Sequence, residues 1–429
     1  MTGTDIMTHS AVILHPDPSR TVLRPFEVGD PDGFVIAGHT RAQRIADRVM
    51  TLDDAALAVD LERVMTSLGA RHRDVEATLL DRFARVEGLT LDRAAVSHDR
   101  ALLIGAYFSE EYSFEAAALF NPSVVAHHDQ SGLPDGAVRF AMSLRGIGEG
   151  HVSSVTFRTG TWQADGTVTV DPPTPTVVSP RIDAVDGDVT RIHCAGSTDA
   201  SETVLFPITP SQRQGIEDLR LVRFVDDDGA VKYHGTYTAF DGMHARSELL
   251  TADDFKTFEM RPLKGSAAAS KGMALFPRKI GGRYAMLSRQ DNENVWLLMS
   301  DDLYTWEGGT PLVRPKWSWE FIQMGNCGSP IEIDEGWLVL THGVGTVRTY
   351  CIGACLLDKD DPSTLLARMT LPLVHPSPKE RDGYVPNVVY SCGALVHDRT
   401  LLLPYGVADN FSTFATVRID DLLAAMEPA

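Results

Sequence analysis

The feature that most constrains the fold is a change of pattern at about residue 121. From there on, short runs rich in β-branched and aromatic residues alternate with turns of Gly, Asp, Asn and Pro. The last four of the five clearest runs begin roughly fifty to sixty residues apart, close to the length of a four-stranded propeller blade. The five runs are Val138–Leu144, Lys232–Thr238, Arg283–Leu287, Trp337–His342 and Thr400–Tyr405.

A second repetition supports this interpretation. Residues 251–258 and 299–306 share one form, in which a strand ends, two Asp follow and an aromatic residue closes the turn. Five such strand clusters fit after Asn121. The sequence therefore predicts an all-β fold, a five-bladed β-propeller, as a catalytic domain over residues 119–429. A β-sandwich is the alternative that the pattern leaves open.

The segment before the propeller has a different periodicity. From Thr40 to Ala118 apolar residues recur every three to four positions, which is typical of amphipathic helices. We therefore expect a helical extension over residues 21–118, preceded by a flexible N-terminus over residues 1–20. The extension carries no visible site chemistry and is a possible surface for homo-oligomer formation.

Charge and cysteine content exclude several classes of protein. The net charge of -19 argues against nucleic acid or an anionic membrane as a partner. The N-terminus lacks the pattern of a signal peptide, and no apolar run reaches the length of a membrane span. The five cysteines are scattered without a metal-binding pair, which favours free thiols in a cytoplasmic protein. Neither a metal nor another cofactor is implied.

Four polar clusters follow predicted strands, where a propeller gathers its ligand-binding groups. Glycines in two of them permit close approach of a ligand, and the aromatic and acidic residues of another suit a sugar. Each also has a structural explanation: a hairpin with solvated charges, an ion pair or a strand-end histidine. Carboxylate chemistry on a glycoside is the best fit among enzymes. The clusters are Arg145–His151, Glu217–Arg220, Thr341–Gly345 and Pro404–Asp409.

The order of these motifs resembles that of glycoside hydrolase family 130, the mannoside phosphorylases and β-mannosidases built on a five-bladed propeller. The resemblance runs from about residue 121 to residue 423 and implies a small oligosaccharide as substrate. The similar pieces are Glu217–Arg220, Thr236–Asp241, Leu275–Leu287, Gly336–Asp358 and Tyr405–Asp409.

The resemblance implies roles for individual residues. In the phosphorylases of the family, the Asp of the Glu-Asp-x-Arg motif is the general acid and acts through a sugar hydroxyl. Asp218 occupies this position, with Glu217 beside it. Together with the clusters above, the resemblance predicts substrate contacts from Asn121, Arg145, His151, Arg220, Asp241, Arg289, His342, Tyr405 and Asp409.

Two departures from the family pattern shift the expected reaction from phosphate to water. The phosphorylases hold phosphate with cations, one just after the aromatic-Asp turn and one well before the His. Gly242-Met243 and Gln323 fill those places here, and only His342 of the set is expected to remain. One histidine among neutral groups holds a phosphate dianion poorly, because charge-assisted contacts supply most of the affinity.

A hydrolase instead needs a second carboxylate to activate water. Glu149 is the first candidate, because its glycine neighbours permit close approach, and Glu248 is the second. The sequence thus predicts an inverting β-mannoside hydrolase, with β-1,2-linked manno-oligosaccharides favoured and Asp218, assisted by Glu217, as the acid. A mannoside phosphorylase with an altered phosphate site is the first alternative. A non-catalytic carbohydrate-binding propeller is the second.

Overall fold

The computed structural model describes residues 6–34, 40–178, 180–379 and 383–429. Within these ranges the chain is mostly β-sheet with few helices, as the sequence predicts. Residues 1–5, part of the N-terminus expected to be flexible, lie outside the described residues. Residues 8–14 of the same segment form a strand, β1 (Thr8–Leu14).

Helices are concentrated in the N-terminal part, between two strands that pair antiparallel with each other. Side chains at the helix starts satisfy free backbone donors: Thr40 accepts from the N–H of Gln43, and Asp53 accepts from that of Ala56. Apolar faces of the helices meet in two buried clusters, the larger of which includes Phe83. The elements are β2 (Thr21–Pro25), α1 (Arg41–Met50), α2 (Asp54–Gly69), α3 (Val75–Arg85), α4 (His98–Tyr107) and β3 (Ser109–Ser113).

The remaining strands follow in chain order. They are β4 (Ala118–Ala126), β5 (Val138–Ile147), β6 (Ser153–Trp162), β7 (Val168–Val170), β8 (Arg181–Asp186), β9 (Val189–His193), β10 (Val204–Leu205), β11 (Gly215–Val225), β12 (Val231–Phe240), β13 (Ala245–Ala252), β14 (Thr257–Pro262), β15 (Ala274–Leu275), β16 (Tyr284–Ser288), β17 (Val295–Ser300) and β18 (Thr310–Val313). The last are β19 (Gln323–Asn326), β20 (Ile331–Ile333), β21 (Gly336–Val344), β22 (Tyr350–Leu357), β23 (Leu365–Met369), β24 (Val389–Tyr390), β25 (Leu395–His397), β26 (Thr400–Val407), β27 (Phe411–Arg418), α5 (Ile419–Ala424) and β28 (Met426–Pro428).

These strands pair into five antiparallel groups, each built from strands that lie close together in the chain. The groups are β4–β7, β11–β14, β15–β18, β19 with β21–β23, and β24 with β26 and β27. The first two join at one parallel contact, between Ser153 and Gly215, and so share a sheet. β1 pairs with β27 and adds an outer strand to the fifth group.

The five β-rich runs predicted from the sequence coincide with β5, β12, β16, β21 and β26, the second strand of each group. No sheet closes on itself among the described strands, so the five-bladed propeller stays a prediction. The domain boundaries stay a prediction as well.

Apolar side chains fill the space between neighbouring groups. Phe276 and Trp337 meet edge to face with their ring centroids 5.0 Å apart, in a cluster shared by the third and fourth groups. Trp306, Trp319 and Trp337 are all at most 2% exposed. Their rings therefore pack the core and are closed to a sugar.

Among the residues that the structure describes, no helix is both long and apolar enough to cross a membrane.

Candidate active site

The polar residues of interest meet at one end of the strand groups. Asn121 lies in β4, Arg145 near the end of β5 and Asp218 near the start of β11. β4 and β5 run antiparallel, so Arg145 lies opposite Phe120 and next to Asn121. Asp218 belongs to the second group, and its hydrogen bond from Asn121 joins the two groups. The fifth group contributes Tyr390 of β24, whose hydroxyl accepts a hydrogen bond from Arg220 at 2.9 Å.

Two irregularities turn Asn121 and Asp218 toward each other. Their φ angles are 49° and 54°, in the left-handed region that costs a non-glycine residue energy. The pairing register is interrupted at both places, after Phe120 in β4 and between Glu217 and Arg220 in β11. Such bulges redirect side chains and are common beside active sites. The strained backbone therefore marks this end as a candidate site.

Hydrogen-bond donors surround Asp218. Its Oδ1 accepts a hydrogen bond from Nδ2 of Asn121 at 2.7 Å and lies 3.4 Å from Nη1 of Arg145. Arg220 donates to its backbone carbonyl at 3.0 Å. The side chain of Asp218 is 13% exposed, so a ligand can reach the carboxylate from one side.

Arg145 is fixed between this carboxylate and a second layer of residues. It donates to Oε1 of Glu217 at 2.9 Å and to Oγ of Ser153 at 2.6 Å. Ser153 in turn donates to the backbone carbonyl of Ile216 at 2.9 Å. The guanidinium carbon also lies 5.2 Å from the centroid of the Phe120 ring. This support holds one cation against both carboxylates.

The charges around Asp218 set its protonation state. Burial by itself raises the pKa of Asp218, but the positive charges of Arg145, Arg220 and Lys271 outweigh burial and lower the pKa below its usual value. The hydrogen bond from Asn121 acts in the same direction. Asp218 is therefore ionised at neutral pH when the site holds no ligand.

Asp409, just after β26, behaves in the opposite way. Burial and the negative charges of Asp218 and Glu217 together raise the pKa of Asp409, to about 6. Arg145 and Arg348 oppose this effect only in part. The site thus contains one carboxyl group that stays ionised and one that takes up a proton just below neutral pH.

The raised pKa of Asp409 predicts a pH-dependent stability. The folded protein binds this proton more tightly than the unfolded chain does, so its stability falls as pH rises between the unfolded and folded pKa values. Asp409→Asn removes the penalty, and the gain in unfolding free energy should be about 2 kcal/mol larger at about pH 7.5 than at about pH 4.5. Asparagine also tolerates the left-handed backbone of Asp409 (φ 50°).

Urea denaturation at both pH values measures this difference. Asp361→Asn is the matched control, because hydrogen bonds from Ser363 lower the pKa of Asp361. Removing the Asp361 carboxylate should destabilise the protein, and the loss of stability should be larger at the higher pH. An equal effect of Asp409→Asn at both pH values contradicts the prediction.

A group of cationic and imidazole side chains lies beside the carboxylates. Nζ of Lys271 is 3.8 Å from Oε2 of Glu217, and the lysine side chain is 44% exposed. Nη1 of Arg289 is 3.5 Å from Nε2 of His342. Burial lowers the pKa of His342 well below its usual value, and the charges of Arg289 and Arg220 lower it further. The imidazole is therefore neutral.

Tyr390 and Asn326 connect this group to the carboxylates. The ring of Tyr390 lies 4.9 Å from that of His342, and its hydroxyl meets Arg220. The backbone carbonyl of Asn326 is 3.2 Å from Nδ1 of His342, and its side chain donates to the carbonyl of Gly272 at 2.6 Å. One continuous chain of contacts therefore joins Asp218 to the buried histidine.

Three buried polar atoms here have no hydrogen-bond partner among the described residues. They are Nε of Arg289, Nε of Arg220 and Oδ1 of Asn121. Leaving such a group unpaired costs about 1–3 kcal/mol, which a ligand can recover. Two cationic donors and one acceptor suit a ligand that carries both negative charge and hydroxyl groups.

The structure brings most of the predicted site residues together, but both candidate bases lie elsewhere. Glu248 is buried, and its Oε2 accepts hydrogen bonds from Tyr237 at 2.5 Å and from Gln212 at 3.3 Å, beside Met260. Glu149 lies in an exposed turn, and no contact of its carboxylate with Asp218 occurs among the described residues.

Three further predicted residues have other surroundings. The carboxylate of Asp241 accepts hydrogen bonds from the N–H groups of Met243 and His244 and so closes its own turn. The hydroxyl of Tyr405 lies 3.0 Å from Nδ1 of His9 in β1. His151 is exposed at the rim. Their roles in binding, and those of the two glutamates, stay predictions.

Sequence reasoning missed Lys271, Asn326 and Tyr390. All three stand in or just before the first strand of a group, as Asn121 and Asp218 do. The sequence runs that we could recognise are the second strands, which are longer and more regular. First strands of two to four residues show no periodicity that a sequence pattern could reveal. The only signal that could have found these residues was their position in the repeat, just before each recognisable second strand.

A cavity of about 400 Å³ opens at the other end of the first strands. Apolar residues such as Val124, Leu221 and Ile331 line it, and two of its three charged residues, Arg278 and Glu332, pair with each other at 2.8 Å. The size of this cavity therefore does not make it the candidate active site. The carboxylates are the better candidate for the active site, because donors beside them have no partner among the described residues.

Comparison with known proteins gives a consistent result. A family model described as beta-1,4-mannooligosaccharide phosphorylase matches residues 187–428, more than half of the chain. A 1,2-beta-oligomannan phosphorylase of a Thermoanaerobacter species is 35% identical over 219 residues, which are 50% of this chain and 72% of that protein. A beta-1,2-mannobiose phosphorylase of Listeria innocua is 32% identical over 233 residues, 52% of this chain and 63% of that protein.

A solved structure of Listeria innocua beta-1,2-mannobiose phosphorylase in complex with beta-1,2-mannobiose has a similar fold. Its TM-score is 0.51 at 24% identity, and the match covers 73% of this chain and 92% of that chain.

Proposed function

This chain belongs to glycoside hydrolase family 130, and we propose that it cleaves β-linked mannosides by phosphorolysis, with β-1,2-linked manno-oligosaccharides as its substrates. The observation that carries the proposal is the pair of cations, Lys271 and Arg289, linked by contacts to the carboxylates at Asp218. The names of the two curated relatives, both β-1,2-mannoside phosphorylases, support it independently.

The cations answer the objection that the sequence raised against phosphate. His342 is not alone, because Arg289 lies beside it, and Nε of Arg289 has no partner in the described part of the chain. Lys271 reaches the same carboxylate cluster. An arginine and a lysine together supply charge-assisted hydrogen bonds of the kind that hold a phosphate dianion. Neutral residues at Gly242 and Gln323 therefore do not remove the capacity for phosphate.

The surroundings of the glutamates weigh against the base that a hydrolase needs. An inverting hydrolase places its base across the sugar from the acid, roughly 6.5–9.5 Å away. Glu248 is engaged with Tyr237, and Glu217 shares Arg145 with Asp218 on the same side. These surroundings favour phosphate as the attacking group.

The charges also suggest how Asp218 acquires its proton. Three cations hold it ionised when the site holds no ligand. A phosphate dianion beside Lys271 and Arg289 offsets part of that positive charge, which raises the pKa of Asp218. A phosphate oxygen then forms a bond to C1 of the mannosyl ring from the face opposite the leaving group. The glycosidic C–O bond breaks, and the proton of Asp218 passes to the leaving oxygen, directly or through a sugar hydroxyl.

Hydrolysis is the second candidate, and one observation favours it. Asp409 is half-buried, and its pKa of about 6 suits a general base near neutral pH. In this version a water molecule deprotonated by Asp409 replaces phosphate as the attacking group. The product of the reaction separates the two candidates.

We further propose that the five strand groups are the blades of a propeller, with the site at one end of its axis. Their antiparallel order and the meeting of their first strands at the site support this arrangement. A cytoplasmic location and oligomer formation through the helices stay predictions.

Comparing substrates and phosphate levels tests the proposal. Purified protein is incubated with β-1,2-mannobiose or β-1,4-mannobiose, each with and without phosphate, and disaccharide loss is followed by chromatography. We expect loss of the β-1,2-linked sugar in phosphate and at least about a hundredfold slower loss without it. Equal rates with and without phosphate would exclude phosphorolysis.

A further inference from the structure

We propose that Tyr384 and His151 form an outer sugar-binding subsite at the rim of the cleft, which the N-terminal part holds in place through Tyr112. The ligand is a mannosyl ring of the oligosaccharide outside the unit whose bond is cleaved. This inference rests on the proposed function, because it extends the same cleft.

Tyr384 lies beside the catalytic end of the fifth strand group. The N–H of the next residue, Val385, donates to the carbonyl of Ala408 at 3.1 Å, and Asp409 follows directly. The tyrosine itself is 57% exposed, so its ring is open to a ligand. A flat ring with a hydroxyl at its edge is well suited to cover the apolar face of a sugar and bind its hydroxyl groups.

His151 faces this ring from the first strand group. The centroids of the two rings are 5.5 Å apart, with a tilt of 40° between their planes. His151 stands in the turn between β5 and β6. In the chain this turn lies between Arg145 and its hydrogen-bond partner Ser153. The position of this turn therefore affects both the rim and the arginine that contacts the carboxylates.

The backbone of this turn is strained and needs support. His151 has a φ of 59°, in the left-handed region that disfavours residues with a side chain. Tyr112 of β3 supplies the support: it is 1% exposed, and its Oη lies 3.1 Å from the carbonyls of both Glu149 and Val152. A Cβ on Gly148 would lie 2.4 Å from this hydroxyl, so only glycine allows the contact.

Further contacts hold Tyr112 itself. Arg24 of β2 lies 4.0 Å from the centroid of the tyrosine ring and also pairs with Glu110 at 2.5 Å. The β2–β3 strand pair lies outside the residues 187–428 that the family model matches. The strand pair on either side of the helices in the chain is thus tied to the rim of the cleft. Tyr112 is a positioning residue, and Tyr384 and His151 make the sugar contact.

Chain length of the substrate tests the subsite. Tyr384→Ala should raise KM for β-1,2-mannotetraose about tenfold, change kcat less than about twofold and affect β-1,2-mannobiose less. Tyr384→Phe keeps the ring and should restore most of the affinity. Tyr112→Phe should raise KM for the tetrasaccharide by about threefold, because the turn loses its anchor.

Tyr107→Ala is the matched control, since Tyr107 is 48% exposed but lies in α4. Calorimetric binding of the tetrasaccharide to wild-type protein and to Tyr384→Ala, without phosphate, gives a readout that does not need turnover. If wild-type protein cleaves no mannoside but Tyr384→Ala still weakens binding, the proposed function fails and the subsite stands. Unchanged KM and unchanged binding for Tyr384→Ala overturn the subsite.

Discussion

Asp218→Asn is expected to lower kcat for β-1,2-mannobiose by about a thousandfold, because the leaving oxygen then departs without a proton. The substitution keeps the size of the side chain, and asparagine tolerates the left-handed φ of 54° at this position. The fold should therefore persist. Steady-state rates in phosphate, with circular dichroism as the check on folding, measure the effect.

A substrate with a better leaving group separates the acid role from a binding role. A dinitrophenyl β-mannoside needs little protonation, so Asp218→Asn should slow its cleavage far less than that of the disaccharide. Asp301→Asn provides a control of the same chemistry, because Asp301 is 86% exposed and pairs with Arg283. A near-native rate of Asp218→Asn on the disaccharide contradicts the assignment of the acid.

Arg289→Gln is expected to raise KM for phosphate by about a hundredfold and to change KM for the mannoside by much less. The expectation follows from the loss of charge-assisted hydrogen bonds to a dianion, each worth about 1.5–3 kcal/mol. Lys271→Ala should act in the same direction but more weakly, because the lysine side chain is 44% exposed and water can replace it.

Two cations outside the site serve as controls. Arg283→Gln removes an arginine paired with Asp301, and Lys279→Ala removes a lysine paired with Asp226. Neither should alter KM for phosphate. If Arg289→Gln leaves the phosphate dependence intact, phosphate binds elsewhere or takes no part in the reaction.

The parts of the site that sequence reasoning found are those with a distinctive local pattern. Asp218 was identifiable because the run from Glu217 to Arg220 resembles the Glu-Asp-x-Arg motif of the family. The residues alone left a structural ion pair open as the alternative. Its actual geometry depends on two bulges, at Asn121 and Asp218, which interrupt the alternation that sequence patterns report. The pattern placed these residues in the site but could not orient them.

The placement of a candidate base could not be predicted, for a related reason. Alternation along β13 shows that Glu248 lies on one face of the strand, but not which face the cleft uses. In the structure Glu248 points to the core with Tyr237 and Gln212. Lys271 is the opposite case, because it was not predicted but lies in the site. It follows a short turn with no periodicity, and only the tertiary fold brings it to Glu217.

The most direct test of the proposed chemistry is the fate of phosphate in a complete reaction. Purified protein is incubated with β-1,2-mannobiose and excess phosphate, and the products are followed by phosphorus and proton NMR. Phosphorolysis predicts one mannose 1-phosphate, in the α configuration, and one free mannose for each disaccharide consumed. Two free mannose molecules for each disaccharide, with the phosphate signal unchanged, would contradict it and establish hydrolysis.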